Sequence, residues 1–151
     1  MMELIQVGPE HLDEILAIEN QLFSVPWSRT GMMAELENRD VCFAAARVEG
    51  RIAGFAVLHS FGDEAELFNI AVSPAFQRRG IGRQLMEKVC RWAEESGVER
   101  IFLEVRVSNA AARRLYREYG FENAGLRKGY YDRPKEDAVL MVRHRRQTAE
   151  E

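Results

Sequence analysis

Glu104 is one of two residues in this chain whose type and position indicate acid–base chemistry. It stands within residues 101–105, where the other four positions are apolar, and such a run predicts a fully buried central strand. Burial raises the pKa of a carboxyl group toward neutrality, which suits a general base that works near pH 7. The alternative is structural: Glu104 would pair with an arginine such as Arg106, or lie at the open end of the strand.

Tyr116 is the second candidate for proton transfer. A phenol has a pKa of about 10, so at neutral pH Tyr116 can donate a proton to a strong leaving base such as a thiolate. Asn109 precedes it by about two helical turns, so both side chains can face one side of the helix that this region predicts. Tyrosine is also a common core residue, and a packing role for Tyr116 is the alternative.

Residues 77–83 read Gln-Arg-Arg-Gly-Ile-Gly-Arg and predict a binding site for a phosphate group. Gly80 and Gly82 allow a tight turn that brings several backbone N–H groups close to a ligand. The helix that follows adds the positive end of its dipole, and three arginines flank the turn. A dinucleotide-binding turn would have a third glycine where Leu85 stands, and the P-loop Gly-Lys-Ser/Thr is absent. NAD and nucleoside triphosphates are therefore disfavoured, and a purely structural strand-to-helix turn is the alternative.

Two aromatic segments are candidates for the rim of a binding site. Pro26 and Trp27 follow the first predicted helix, and Tyr130 and Tyr131 lie in a polar loop predicted at residues 129–137. Large aromatic side chains on loops favour a binding rim over lids that only cover the core.

Composition limits the class of protein. The chain has 151 residues, 46% hydrophobic and 30% charged, as expected for one soluble globular domain over residues 1–151. A net charge of −3 argues against a general nucleic-acid-binding protein, so any anion site must be local. Neither a membrane span nor a signal peptide is predicted, and we expect a cytoplasmic protein. Cys42 and Cys90 lie far apart and the histidines are scattered, so neither a disulfide nor a metal site is predicted.

Hydrophobic periodicity predicts the strands and helices that position these residues. Ser28 and Asn109 are predicted helix caps, and Gly120 is predicted to end the helix that contains Tyr116. Early strands meander and later ones alternate with helices, which predicts a mixed α/β sheet with helices on both faces and a charged tail from residue 143 onward. The predicted strands are residues 3–7, 41–48, 51–61, 66–72, 101–107, 122–128 and 138–145, and helices follow residue 8 and Ser28 and span 82–96 and 109–119.

Four segments together resemble the GNAT superfamily of acetyltransferases, and more narrowly its RimI group. They are Leu-Phe-Asn-Ile-Ala-Val at 67–72, the glycine turn at 77–82, Leu-Glu-Val-Arg-Val-Ser-Asn-Ala-Ala-Ala at 103–112 and Leu-Tyr-Arg-Glu-Tyr-Gly-Phe at 115–121. The resemblance covers residues 3–142 and implies the GNAT fold, a mostly antiparallel sheet of about seven strands with one splayed parallel pair.

The resemblance also implies the ligand and the roles of single residues. Acetyl-CoA would be the acetyl donor, with its pyrophosphate at the N–H groups of the glycine turn and its pantetheine arm paired with residues 70–72 like an added strand. Glu104 matches the family's proton acceptor and Tyr116 its proton donor, and the reaction requires no metal. The implied cofactor-binding residues are Ile70, Ala71, Val72, Arg78, Arg79, Gly80, Ile81, Gly82, Arg83 and Asn109.

The RimI group acetylates the N-terminal alanine of a small-subunit ribosomal protein, so the implied acceptor is a protein α-amine. Such an amine has a pKa of about 8, against about 10.4 for lysine, and a weaker base can deprotonate it. Pro26, Trp27, Tyr130 and Tyr131 would then border the peptide. The alternatives are a lysine, polyamine or small-molecule acceptor, and a non-catalytic acetyl-CoA-binding protein. The sequence predicts no oligomeric state.

Overall fold

The computed structural model describes residues 1–145, and within them it contains seven strands and four α-helices. The strands are β1 (Met2–Gln6), β2 (Val41–Val48), β3 (Arg51–Phe61), β4 (Glu64–Val72), β5 (Arg100–Arg106), β6 (Glu122–Tyr131) and β7 (Glu136–His144). The helices are α1 (Leu12–Leu22), α2 (Arg29–Leu36), α3 (Ile81–Glu95) and α4 (Ala110–Glu118), with single 3-10 turns at Pro9–His11 and Pro74–Phe76.

All seven strands belong to one mixed sheet in the order β1-β2-β3-β4-β5-β7-β6. Every neighbouring pair is antiparallel except β4 and β5, which run parallel through only three residue pairs, the last being Glu66 with Phe102. Beyond that pair the two strands separate. The predicted mixed sheet with one splayed parallel pair is therefore confirmed.

A bulge in β4 coincides with the start of this separation. Val57 of β3 faces Asn69 and Leu58 faces Leu67, so Phe68 has no partner in the β3–β4 ladder. A bulge bends its strand and increases the local twist, which directs the end of β4 away from β5.

Helices cover both faces of the sheet, as predicted. Alternate residues of β2 enter opposite cores: Ala44 and Ala46 pack beneath α3 and α4, whereas Phe43 and Ala45 pack beneath α1 and α2. The predicted inward residues of α3 are all buried: Leu85, Met86, Val89, Cys90 and Ala93.

Local signals placed the helix ends correctly. The Oγ of Ser28 accepts a hydrogen bond from the Gly31 N–H at 3.1 Å, and the Oδ1 of Asn109 accepts one from the Ala112 N–H at 3.1 Å. Gly120 follows α4 with φ of +89°, the left-handed conformation that ends many helices.

The prediction of a polar loop at residues 129–137 is wrong. β6 continues through Tyr131 and β7 begins at Glu136, with these two residues paired across the ladder. Tyr130 and Tyr131 therefore lie on a strand rather than in a loop. The strand was predicted at 122–128, but polar composition concealed its continuation because β6 is an edge strand and most of its residues are exposed.

The start of the predicted charged tail belongs to β7. The Nε of Arg143 donates to the Tyr119 carbonyl at 2.8 Å, and its Nη2 lies 2.9 Å from the Glu94 carboxylate. The rest of that predicted tail, residues 146–151, lies outside the described residues. No helix within residues 1–145 has the length and apolar character needed to cross a membrane.

Candidate active site

A cleft of about 750 Å³ lies where β4 and β5 separate, and we call it the splay cleft. Its walls are residues 67–72 of β4, residues 103–106 of β5, residues 22–25 at the end of α1 and beyond it, and residues 130–134 at the end of β6 and beyond it. This volume is in the range of small-molecule and cofactor sites. The splay cleft brings together eight of the residues singled out by sequence: Ile70, Ala71, Val72, Glu104, Asn109, Tyr116, Tyr130 and Tyr131.

One edge of β4 is open to the splay cleft. Residues 70–72 pair with residues 54–56 of β3 on one side, and no strand of residues 1–145 pairs with the other side beyond Glu66. Unpaired backbone N–H and C=O groups on a strand edge can bind an extended ligand as an added strand. The cleft thus offers a linear array of hydrogen-bonding groups.

The glycine turn lies beside this edge. Gly80 precedes α3 with φ of +77°, and Arg78 also has a positive φ of +67°. A Cβ on Gly80 would meet no atom within 4 Å, whereas one on Gly82 would lie 3.4 Å from Leu115. Gly80 is therefore required by backbone conformation, whereas a Cβ at Gly82 would make only an ordinary van der Waals contact with α4. Gln77 links the turn to the cleft, because its Nε2 donates to the Val72 carbonyl at 3.1 Å.

Two of the three arginine side chains in the turn already have protein partners. Arg79 lies over one ring, Phe76, at 5.3 Å from its centroid, and Arg51 lies over the same ring at 5.2 Å. Arg83 contacts the Glu118 carboxylate at 2.7 Å. The backbone N–H groups at the start of α3 are thus the main feature that the turn offers to an anion.

Glu104 projects from β5 into the splay cleft. The strand alternates between buried and partly exposed residues, and Glu104 is on the partly exposed face with 12% of its side chain accessible. The expectation of a strand buried on both faces is therefore wrong. β5 is a half-buried strand, and its open face is a wall of the cleft.

Both carboxylate oxygens of Glu104 have partners. Oε2 lies 2.6 Å from the Nε of Arg127, and Oε1 accepts a hydrogen bond from the Tyr130 hydroxyl at 3.2 Å. Arg106, the arginine suggested by sequence, instead contacts Glu136 at 3.2 Å. Both partners come from β6: Arg127 lies within the predicted strand 122–128, and Tyr130 lies in the part of β6 that extends beyond it.

Tyr116 both packs in the core and lines the splay cleft. Only 7% of the residue is exposed, and its ring lies 5.9 Å from that of Phe121. Burial, with a smaller effect of Tyr131, raises the pKa of Tyr116 well above its usual range. The hydroxyl is therefore protonated at neutral pH and can act as a proton donor.

Asn109 lies at the mouth of the cleft. Its Oδ1 caps α4, as described above, which leaves the Nδ2 amide as a donor toward the cleft. A role in holding a ligand is compatible with the cap because the two use different atoms.

Pro26 and Trp27 are outside the cleft lining. Trp27 packs edge-on against Phe68, with ring centroids 6.1 Å apart, and thereby holds the connection between α1 and α2. The preceding residues 22–25 form the cleft wall instead. The prediction that Pro26 and Trp27 contact a substrate remains a prediction. Tyr130 and Tyr131 do line the cleft, with rings perpendicular and 5.0 Å apart.

Glu19 is a cleft residue that sequence reasoning missed. It is 2% exposed on α1, and its oxygens accept hydrogen bonds from the Trp27 N–H at 2.8 Å and the Asn69 side chain at 2.6 Å. Burial raises the pKa of Glu19, although these two hydrogen bonds oppose the shift. The available signal was its position four residues after Ile15 and seven after Leu12, on the apolar side of the helix.

The fold and the site together define an acetyltransferase of the GNAT class. The defining features are a splayed parallel pair of strands, a carboxylate and a tyrosine in the cleft between them, and a glycine turn before the next helix. The sequence profile of the acetyltransferase (GNAT) family matches residues 12–121, and the chain belongs to that family. It is an acetyl-CoA-dependent N-acetyltransferase, as the resemblance implied. Within residues 1–145 no three His, Cys, Asp or Glu side chains are grouped as metal ligands.

Proteins similar to this chain indicate which group of the GNAT family it resembles. The chain is 41% identical over 127 residues to the [ribosomal protein bS18]-alanine N-acetyltransferase of Escherichia coli K12, covering 83% of this chain and 85% of that protein. It is 36% identical over 145 residues to the Haemophilus influenzae protein of the same description, covering 94% and 98%. The crystal structure of the E. coli enzyme superimposes with a TM-score of 0.90 at 35% identity, covering 99% and 97%. The resemblance to the RimI group is confirmed.

Proposed function

We propose that this protein acetylates the N-terminal α-amine of a protein, and that its acceptor is the N-terminal alanine of a small-subunit ribosomal protein. The similar E. coli and H. influenzae proteins are both named as N-acetyltransferases of the alanine of ribosomal protein bS18. The observation that carries the proposal is that Glu104 and Tyr116 line one cleft together with the open edge of β4. A proton acceptor, a proton donor and a strand-like binding edge therefore share one site.

The donor site of this proposal combines the β4 edge and the glycine turn. The backbone of residues 70–72 would pair with the pantetheine arm, and the N–H groups of residues 78–83 would bind the pyrophosphate. The Nδ2 amide of Asn109 would bind the same arm. Acetyl-CoA supplies the activated acetyl group, and the protein supplies position and proton transfer.

Glu104 would remove a proton from the α-amine of the acceptor. The hydrogen bond from Tyr130 is 3.2 Å long, beyond the usual 2.5–3.0 Å for an O–H···O bond, so an ammonium group can replace it at Oε1. The ion pair with Arg127 meanwhile holds the other oxygen in place. An α-amine, with a pKa near 8, is deprotonated by such a base more readily than a lysine.

The β4 backbone and Tyr116 would complete the reaction. N–H groups at the open edge of β4 stabilise the negative charge that develops on the acetyl carbonyl oxygen when the amine attacks. As the carbon–sulfur bond breaks, Tyr116 delivers its hydroxyl proton to the departing sulfur. Burial raises the pKa of Tyr116 and keeps its hydroxyl protonated, so the proton is available when negative charge develops on the departing sulfur.

The acceptor peptide would enter between residues 22–25 and Tyr131. The segment after β6 is held as a fixed wall because Arg106 donates to the carbonyl oxygens of Asp132 and Pro134, both at 2.9 Å. Arg106 also lies over the Tyr131 ring at 4.5 Å. A groove with one fixed wall suits an extended N-terminal segment better than a small amine.

Acetylation assays on three acceptors test the proposal. The acceptors are a peptide that begins Ala-Arg and contains an internal lysine, the same peptide blocked at its α-amine, and spermidine. We expect turnover with the first peptide alone. Turnover that survives the α-amine block, or that is fastest with spermidine, would contradict the proposal and favour a lysine or polyamine acceptor.

A further inference from the structure

Glu104 lines a second cleft as well as the splay cleft. This side cleft has a volume of about 310 Å³ and shares only Leu103 and Glu104 with the larger one. Its space is enough for several water molecules, since one occupies about 30 Å³ in the liquid. The carboxylate of Glu104 is thus placed between the substrates and a separate opening. The other lining residues of the side cleft are Phe61, Glu64, Ala65, Glu66, Phe102, Arg127 and Leu140.

Glu66 lines the side cleft together with Glu104, and within residues 1–145 its carboxylate has no hydrogen bond or ion pair. It belongs to the last residue pair of β4 and β5 before they separate, opposite Phe102, and Glu104 is two residues further along β5. Both glutamates project from the same face of the sheet, because the residues on either side of each are buried in the core on the opposite face. Those flanking residues are Ala65, Leu67, Leu103 and Val105.

Charged and titratable side chains on three strands act on Glu66. Glu104 faces it from β5, Arg127 from β6, and His59 from β3, where it is the direct ladder partner of Glu66. Beyond them, His59 lies 3.6 Å from Glu35 of α2, and at the cleft mouth Glu64 is paired with Arg100 at 2.6 Å. Burial and then the charge of Glu104 raise the pKa of Glu66, while Arg127 and His59 lower it. Glu66 therefore binds a proton more readily than a free glutamate does.

The reaction itself requires a route for one proton. At neutral pH an α-amine with a pKa near 8 is mostly an ammonium ion. When the N–C bond forms and the C–S bond breaks, the nitrogen loses two protons and the sulfur gains one. One proton must therefore leave the site in every turnover, at a time when both substrates occupy the splay cleft.

We propose that Glu66 takes this proton from Glu104 through water in the side cleft and releases it to solvent. The side cleft is then the proton exit of the enzyme. Glu66 is not among the residues that line the splay cleft and would act only through Glu104, so the inference rests on the proposed role of Glu104 as the base.

Glu66→Gln tests this proton exit, because glutamine has nearly the same side-chain volume as glutamate but no carboxylate that can accept a proton. At low buffer concentration we expect kcat to fall by about tenfold, less than the 10²–10⁴-fold that a direct general base contributes, with both KM values unchanged. Added small buffer acids and bases should restore kcat, because they replace the missing acceptor through the open side cleft. The pH dependence of kcat should change in the same variant, whereas Glu66→Asp should keep most of the activity.

Glu64→Gln is the matched control, since Glu64 lines the same side cleft but is engaged by Arg100. We expect it to leave kcat and the buffer dependence unchanged. A Glu66→Gln enzyme with the kcat of the wild type, or a loss of kcat that buffer does not restore, overturns the inference.

Glu104→Gln, measured alongside, separates this inference from the proposed mechanism. If Glu104→Gln keeps full turnover, Glu104 is not the base and both ideas fail. If Glu104→Gln loses turnover while Glu66→Gln does not, only the proton exit is wrong.

Discussion

Glu19 provides a quantitative test of how the acceptor side of the site is held together. Its carboxylate joins three elements, because it lies on α1 and accepts hydrogen bonds from Trp27 before α2 and from Asn69 of β4. Glu19→Ala would leave both donors without an acceptor in a region where the native residue is 2% exposed. We expect the protein to lose stability and the segment at residues 22–27 to lose its fixed position.

The magnitude follows from the two contacts. An orphaned buried donor costs about 1–3 kcal/mol, so the pair costs about 2–6 kcal/mol. Burial of the Glu19 carboxylate is itself unfavourable, and its effect on the pKa exceeds that of the two hydrogen bonds, so removing the carboxylate offsets part of this cost. The expected loss in the free energy of unfolding is therefore about 2–4 kcal/mol. Urea unfolding at pH 7 measures the change, and KM for the peptide should rise in the same variant. Gln21→Ala, at an exposed position of α1, is the control and should change the stability by less than about 0.5 kcal/mol.

The pH dependence of the protein's stability can refute this account of Glu19. Because the folded protein raises the pKa of Glu19, its contribution to stability is fully present below the unfolded value of 4.5 and is lost as the pH rises through the folded value. Glu19→Gln lacks this loss, so it should be most destabilising below pH 4.5 and less so at pH 7. The reasoning would be refuted if Glu19→Ala lowered the free energy of unfolding by less than about 0.5 kcal/mol. It would also be refuted if the destabilisation caused by Glu19→Gln increased with pH.

Two further substitutions test the donor side. Tyr116→Phe should lower kcat by about 10²-fold or more and leave the acetyl-CoA Kd from calorimetry nearly unchanged; a loss confined to affinity would assign Tyr116 to binding alone. Gly80→Ala should cost about 1–2 kcal/mol of stability and weaken acetyl-CoA binding, because an L residue is strained at φ of +77°. Gly50→Ala, at φ of +80° in the turn after β2, should cost as much stability with no change in acetyl-CoA Kd. Equal Kd values for the two glycine variants would contradict a binding role for the glycine turn.

Much of the fold was predictable because its signals are local. The hairpin of β2 and β3, the caps at Ser28 and Asn109, and the end of α4 at Gly120 depend on interactions within a few residues. The same is true of the inward face of α3, which follows from helical periodicity. The end of β6 beyond residue 128 was less predictable, since this exposed part of an edge strand carries no apolar alternation.

The sequence by itself determined the enzyme class, and it predicted roles for Glu104 and Tyr116, which line the same cleft. The tertiary structure decided what surrounds them. Arg127 pairs with Glu104 across 23 positions of the chain, and Glu19 contacts Asn69 across 50, and neither spacing leaves a pattern in the sequence. The physical reason is that propensity, capping and turn chemistry act between near neighbours. The splay of β4 from β5, the two clefts at Glu104 and the charges around Glu66 depend instead on how distant segments pack.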